Sequence, residues 1–238
     1  MKIASVRILM ALFVTLATAA GAQSLPERRP ALLGSGPESL VNLIDAGELM
    51  KNGQEDAWVM FNFTVGVDGR AGQVVLYRVS PGADLLKREV SRNLKRAKFI
   101  PAIYMGRLTS AGVFGTAIFV AKNGRPHLRI YENQEMEELK RGSDFIAPQT
   151  IRSPYSFYPN RAGYLGLGAT VQIRLRVEAD GTTTEVKALS STRPEENFAS
   201  NAESFIRRST FLPGYRNGRP VASVITFDFR YFGRSSVE

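Results

Sequence analysis

Asp68 and Asp180 are the first residues to weigh as chemical groups, because two carboxylates in matching settings are what acid–base catalysis uses. Each is followed by glycine, however. Asp-Gly suits a tight hairpin turn, since Gly tolerates positive φ and Asp bonds its own backbone. Their symmetric placement assigns both to turns. His127 is the sole histidine and there is no cysteine, so no second histidine or thiol is available to share a zinc site or a triad. Ser190-Ser191 has no histidine positioned beside it by sequence. Gly163 to Gly168 is glycine-rich but lacks the Lys-Thr ending of a phosphate loop. The sequence therefore predicts no catalytic residue, no metal ligand and no cofactor, and a protein that is not an enzyme.

The elements that carry these residues recur at a fixed step. Phe99, Pro101, Gly106 and Arg107 return 112 residues later as Phe211, Pro213, Gly218 and Arg219. Ala57 to Val67 alternates apolar and polar residues through Val59, Phe61, Phe63 and Val65. Ala169 to Ala179 does the same through Val171, Ile173, Leu175 and Val177. Period two with one apolar face predicts a half-buried strand. Asp68-Gly69 or Asp180-Gly181 then turns the chain into a second strand, about Gln73 to Val79 or Glu185 to Ser190. Leu86, Val90, Leu94 and Ala97 form the apolar stripe of a helix, matched by Phe198, Ala202, Ile206 and Ser209. The helices should run to near Phe99 and Phe211 and stop at Pro101 and Pro213. A last strand follows in each copy.

The expected fold is α+β: two tandem β-β-α-β units, each a small antiparallel sheet with one helix packed on one face. The implied boundaries are an amino-terminal helical segment at 23–56, a first domain at 57–121, a connector at 122–157 and a second domain at 158–238. Glu38 to Lys51 reads as one helix. The connector holds a short, highly charged helix-like piece around Asn133 to Arg141.

Charge and composition narrow the setting. The chain carries a net charge of +9. Met1 to Ala22 has Lys2 and Arg7, a short apolar run and a small-x-small end at Ala20-Gly21-Ala22. That is the pattern of a secretory signal peptide cleaved before Gln23; the alternative is an uncleaved inner-membrane anchor. A basic exported protein meets anionic envelope polymers and lipids rather than nucleic acid. Without cysteine the fold must rest on its apolar core.

The second copy resembles the C-terminal domain of the TonB family. The residues that carry the resemblance are Tyr158-Pro159 with Ala162, Asp180-Gly181, Arg207-Arg208, Phe211-Leu212-Pro213 and Gly218-Arg219-Pro220-Val221. The first copy keeps Asp68-Gly69, Lys95-Arg96 and Phe99-Ile100-Pro101, but has no Tyr-Pro entry, and Leu108 replaces the later proline. The resemblance implies a periplasmic protein-binding module that adds strands to extended peptides of envelope partners. It implies an edge strand of Ser223, Val224, Ile225, Thr226, Phe227, Asp228, Phe229 and Arg230, with Tyr158, Pro159 and Ala162 near the partner. A transducer of that family also needs a membrane anchor and a long proline-rich spacer, and the sequence shows no such spacer. The alternatives are a membrane-anchored accessory to transport across the outer membrane and a structural envelope protein.

Where the copies differ, partners are implied. Lys87, Arg88, Arg92, Lys95, Arg96 and Lys98 make the first helix basic and suit an anionic envelope surface. Trp58, Met60, Phe114 and Ile118 stand where the second copy has Thr170, Gln172, Thr226 and Arg230. An apolar second face predicts a cover, from this chain, from a partner protein or from a second copy in a homodimer.

Overall fold

The computed structural model describes residues 25–142, 144–152 and 158–233. The expected signal peptide lies outside the described residues. The chain begins with a short strand, β1 (Arg28–Arg29), and two short helices, α1 (Leu40–Leu43) and α2 (Ala46–Lys51). The single helix expected over Glu38 to Lys51 is thus broken. Ile44 and Asp45 are both extended, and the Asp45 carboxylate caps α2 by accepting from Glu48 N at 2.9 Å, a role for which Asp is among the preferred residues.

The first sheet follows: β2 (Ala57–Val65), β3 (Ala71–Val79), α3 (Asp84–Leu94), the hairpin β4 (Ala102–Tyr104) and β5 (Arg107–Thr109), then β6 (Ala111–Lys122) and β7 (Arg125–Glu132). Its order is β3-β2-β6-β7, all antiparallel. A 3-10 turn at Met136–Arg141 leads to β8 (Phe145–Ile146), β9 (Gln149–Arg152) and α4 (Asn160–Leu165). The second sheet has β10 (Ala169–Val177), β11 (Thr183–Ser191), α5 (Phe198–Arg207), β12 (Thr210–Leu212), β13 (Gly214–Arg216), β14 (Arg219–Val221) and β15 (Ser223–Tyr231). Its order is β11-β10-β15. The chain is therefore α+β with antiparallel sheets. β2, β3, β4, β5 and β6 begin 112 residues before β10, β11, β13, β14 and β15.

The motif pieces meet in space. Gly69 and Gly181 have φ of +74° and +86°, and a Cβ on either would stand 2.5 Å from the carbonyl oxygen of Phe99 or Phe211. Phe99 N returns a hydrogen bond to Gly69 O at 2.9 Å. Each Asp-Gly turn is thus locked against its Phe-x-Pro segment, and only glycine fits that approach. The two carboxylates serve their own turns: Asp68 Oδ1 accepts from Arg70 N and Asp180 Oδ1 from Thr182 N.

Several boundaries differ from expectation. The helices end at Leu94 and Arg207, because Phe99 and Phe211 must leave the helix to reach the cores beneath the turns, where they are buried. The stretch 122–157 is not a bare connector, since β7 completes the first sheet. Asn123 and Gly124 both have positive φ (52° and 69°), the geometry of a two-residue hairpin turn whose twist matches paired strands. Met105-Gly106 and Asn217-Gly218 repeat it in the β4–β5 and β13–β14 hairpins. Nor is 23–56 only helical. β1 pairs with β4 and Leu32 bridges to Ile100, while β8 pairs with β13 and β9 with β12.

Two apolar cores result. α3 packs Leu86, Val90 and Leu94 on Val59, Phe61 and Phe63, and α5 packs Phe198, Ala202 and Ile206 on Val171, Ile173 and Leu175. The halves interlock: Leu212 belongs to the first core, and Phe114 packs on the second. Gln149 Oε1 accepts from Ala31 N at 2.7 Å and its Nε2 donates to Ala31 O at 2.9 Å, all buried.

Candidate partner-binding edge

Backbone parity decides which groups of β15 are available. In an antiparallel strand, alternate residues direct both N–H and C=O to opposite sides. On β6, Phe114 O accepts from Asn133 N at 2.6 Å and Phe114 N donates to Asn133 Oδ1 at 3.1 Å, so the even residues of β6 face β7. On β15, Val224 O accepts from Arg141 Nη2 at 2.5 Å, which gives the same parity. Thr226, Asp228 and Arg230 therefore turn their backbone groups away from β10. Among the described residues no strand pairs with that side. Ile225, Phe227 and Phe229 turn theirs toward β10. Ser223 is buried and begins the strand at the β10 end opposite Val177.

The side chains along this edge are half-buried from Thr226 to Arg230. A cleft of about 270 Å³ opens beside it, lined by Phe227, Asp228, Phe229 and Arg230 on one wall and Asn62, Tyr77, Phe114 and Glu135 on the other. Arg230 spans the cleft. Its Nη1 donates to Tyr77 O at 3.1 Å, its guanidinium lies 4.7 Å from the Tyr77 ring centroid, and Nη2 is 3.6 Å from Asp228 Oδ2. Burial, with the Asp228 and Glu137 carboxylates nearby, pushes the Glu135 carboxyl up to about 7. Burial and Glu135 likewise raise the Tyr77 hydroxyl, which sits 3.4 Å from Glu135 Oε1. Arg78 bonds Glu137 at 2.7 Å and holds that carboxyl low.

The other expected site residues fall elsewhere. Tyr158, Pro159 and Ala162 do not line the open edge. The Tyr158 ring meets Phe198 and Tyr231 edge-on at 5.8 and 5.4 Å, and its hydroxyl donates to the pair Leu167 O and Phe232 O at 2.5 and 2.9 Å. Pro159 caps α4, and Ala162 is fully buried. This segment fastens the end of β15 to the core, because an aromatic with one polar tip can fill the core and still tie two carbonyls.

On the second face of the first sheet, Met60 is fully buried and neighbouring Thr116 Oγ1 donates to Gln134 O at 2.8 Å. Phe114 packs on the second core, and Trp58 lies under the Arg78 guanidinium at 5.6 Å. Ile118 is half-buried and lines a groove with Val120, His127 and Tyr131. The chain's own 133–142 segment and second half thus cover this face around Thr116 and Phe114, while Ile118 faces the groove. His127 is exposed on β7, Ser190 is exposed on β11, and Ser191 Oγ accepts from Arg193 N. No group of three or more metal-ligating side chains is present among the described residues.

Residues 154–231 match the family model of the Gram-negative bacterial TonB protein C-terminal domain. The matched stretch is about a third of the chain and ends on the last residue of β15. Domains of this family act in the cell envelope in energy transduction for transport, and contact proteins such as outer-membrane receptors. No curated protein matches the chain. Among the described residues no helix is long and apolar enough to cross a membrane.

Proposed function

We propose that this chain is a periplasmic, non-enzymatic adaptor whose TonB-type domain captures extended segments of envelope proteins by strand addition to β15. The observation that carries this reading is the open edge itself: Thr226, Asp228 and Arg230 present backbone groups that no strand pairs with among the described residues, beside a cleft. Each backbone bond contributes roughly 0.5–1.5 kcal/mol net, so several in a row with side-chain contacts suffice for transient capture. We read 57–121, with β7 added, as a second, divergent copy of the same unit, on the strength of the 112-residue step and the repeated Gly–Phe lock. Substituting Thr226→Pro removes an outward N–H while sparing those bonded to β10. Partner recovery from envelope fractions should fall with the fold intact by circular dichroism. Unchanged recovery would refute capture at this edge.

A second reading concerns α3. Lys87, Arg88, Lys95 and Arg96 are exposed around a broad groove and form no ion pair among the described residues. Their counterparts at the 112-residue step are Ala199, Ser200, Arg207 and Arg208. We infer that this face rests on an anionic surface. Co-sedimentation with anionic vesicles, lost in high salt, tests it.

A further inference from the structure

The second face of the first sheet carries a trough that strand capture leaves unused. Ile118, Val120 and Lys122 of β6 and His127, Arg129 and Tyr131 of β7 line it, around a volume of about 310 Å³. Directly opposite residues of an antiparallel pair share a face. Here Ile118 stands opposite Arg129, Val120 opposite His127 and Lys122 opposite Arg125. The neighbouring Ala117, Phe119, Leu128 and Ile130 point the other way, toward the core under α3. The trough thus runs along the strands, between two rows of side chains, on the side of the sheet away from α3.

Its two ends differ. At one end Tyr131 stands opposite Thr116, which is fully buried and whose Oγ1 donates to Gln134 O, so the chain's own 133–142 segment stops the trough. Trp58 of β2 stands opposite Ile118 and lengthens the apolar floor. At the other end the β6–β7 hairpin leaves Lys122 and Arg125 exposed, and His127 and Arg129 are exposed along the wall. The side chains of these four form no ion pair among the described residues. Glu137 and Glu138 of the 133–142 segment are already matched by Arg78 and Arg141. Asp56, just before β2, accepts from Ala121 N at 2.8 Å and offsets only part of the positive charge. At the 112-residue step Trp58, Ile118 and Val120 become Thr170, Arg230 and Phe232, and no described strand stands where β7 does. The trough therefore belongs to the first half alone.

We propose that this trough holds the acyl chain of a fatty acid, with the carboxylate at Lys122 and Arg125 and the tail running toward Ile118 and Tyr131. The site is separate from β15 and from the α3 face. The strand spacing of about 4.8 Å sets the trough's width. That admits one extended chain and not a helix, which is roughly 10–12 Å across. Four residues of strand separate Ile118 from Lys122, about 14 Å at the antiparallel rise. A fully extended chain gains about 1.2 Å per bond, so a tail of about a dozen carbons fits. The apolar floor calls for such a tail, and the unmatched ammonium and guanidinium groups call for an anion. The aliphatic stem of Arg129 extends the apolar wall while its charged end stays in water.

The test is equilibrium dialysis of the full chain with dodecanoate, kept below its micelle-forming concentration. Octanoate should bind at least tenfold more weakly, because each buried methylene contributes up to about fourfold. Dodecyltrimethylammonium, with the same tail and the opposite charge, should also bind at least tenfold more weakly. Val120→Asp, and separately Lys122→Glu combined with Arg125→Glu, should each weaken dodecanoate at least tenfold, with folding checked by circular dichroism. Lys122 and Arg125 are exposed, so the double variant keeps the test open if Val120→Asp fails to fold. Thr226→Pro, and glutamine at Lys87, Arg88, Lys95 and Arg96, should leave dodecanoate binding unchanged. Butyrate binding as tightly as dodecanoate would reduce the trough to an anion site, and equal binding of the cationic surfactant would reduce it to an apolar surface; either overturns the proposal. So would absence of dodecanoate binding, unchanged affinity in the trough variants, or burial of the trough by a second copy or by anionic vesicles without binding of the monomeric acid.

Discussion

Glu132 offers the sharpest energetic test of how the two halves join. It ends β7, and its Oε2 accepts from Leu33 N at 3.1 Å while Oε1 is shut off from solvent with no hydrogen-bond partner among the described residues. Burial pushes its carboxyl up from 4.5 to about 8, against the opposing effect of the Leu33 amide and Gln149. The folded chain therefore keeps the proton where the unfolded chain has lost it. Between about pH 4.5 and 8 the unfolded state binds fewer protons, so stability falls as pH rises through that window and levels off above it. At 1.36 kcal/mol per pH unit the shift is worth on the order of 5 kcal/mol as a ceiling. Glu132→Gln keeps an acceptor for Leu33 N and has no charge to bury. Urea denaturation at pH 4.5, 6, 7 and 8.5 should show near-equal stabilities at the acid end and a variant about 2–4 kcal/mol more stable at the alkaline end. Glu135, raised to about 7, adds slope of the same sign, so the double variant with Glu135→Gln should be flatter still. Parallel pH profiles for wild type and Glu132→Gln would refute the buried, neutral carboxyl.

Gly181→Ala should cost roughly 2–4 kcal/mol, since a Cβ there meets Phe211 O and φ is left-handed; thermal melts check it, and Gly218→Ala, with nothing near its Cβ, should cost less. Met60→Ala should destabilise by about 2–5 kcal/mol, whereas an unchanged melting temperature would deny that the second face is covered. Replacing Lys87, Arg88, Lys95 and Arg96 by Gln should abolish low-salt vesicle binding with little change in stability; retained binding would move the anionic contact elsewhere.

Much of the scaffold was legible because its signals are local. Alternation at Val59 to Val65 and Val171 to Val177, the helix stripes and the Asp-Gly turns each follow from one short window. The Asn123-Gly124 hairpin is equally local, yet the stretch that forms β7 reads as a connector, because a charged Arg-containing strand with Leu128 and Ile130 on one face looks weakly apolar until β6 lies beside it. The arms at Arg28 and Phe145 had no signal of their own; two-residue strands exist only through their partners. The Tyr158-Pro159 motif carries no signal for where its ring points; only the folded chain sets it against Phe198 and Tyr231. The open edge lay within the expected span, but its parity needed the Arg141–Val224 and Phe114–Asn133 bonds.

A cross-linker walked residue by residue from Ser223 to Arg230 in living cells tests strand capture at β15 most directly. The account predicts adducts to an envelope protein centred on Thr226 to Arg230, lost on Thr226→Pro with the chain still folded. Adducts spread evenly along the strand, or none from a well-expressed chain, would contradict it.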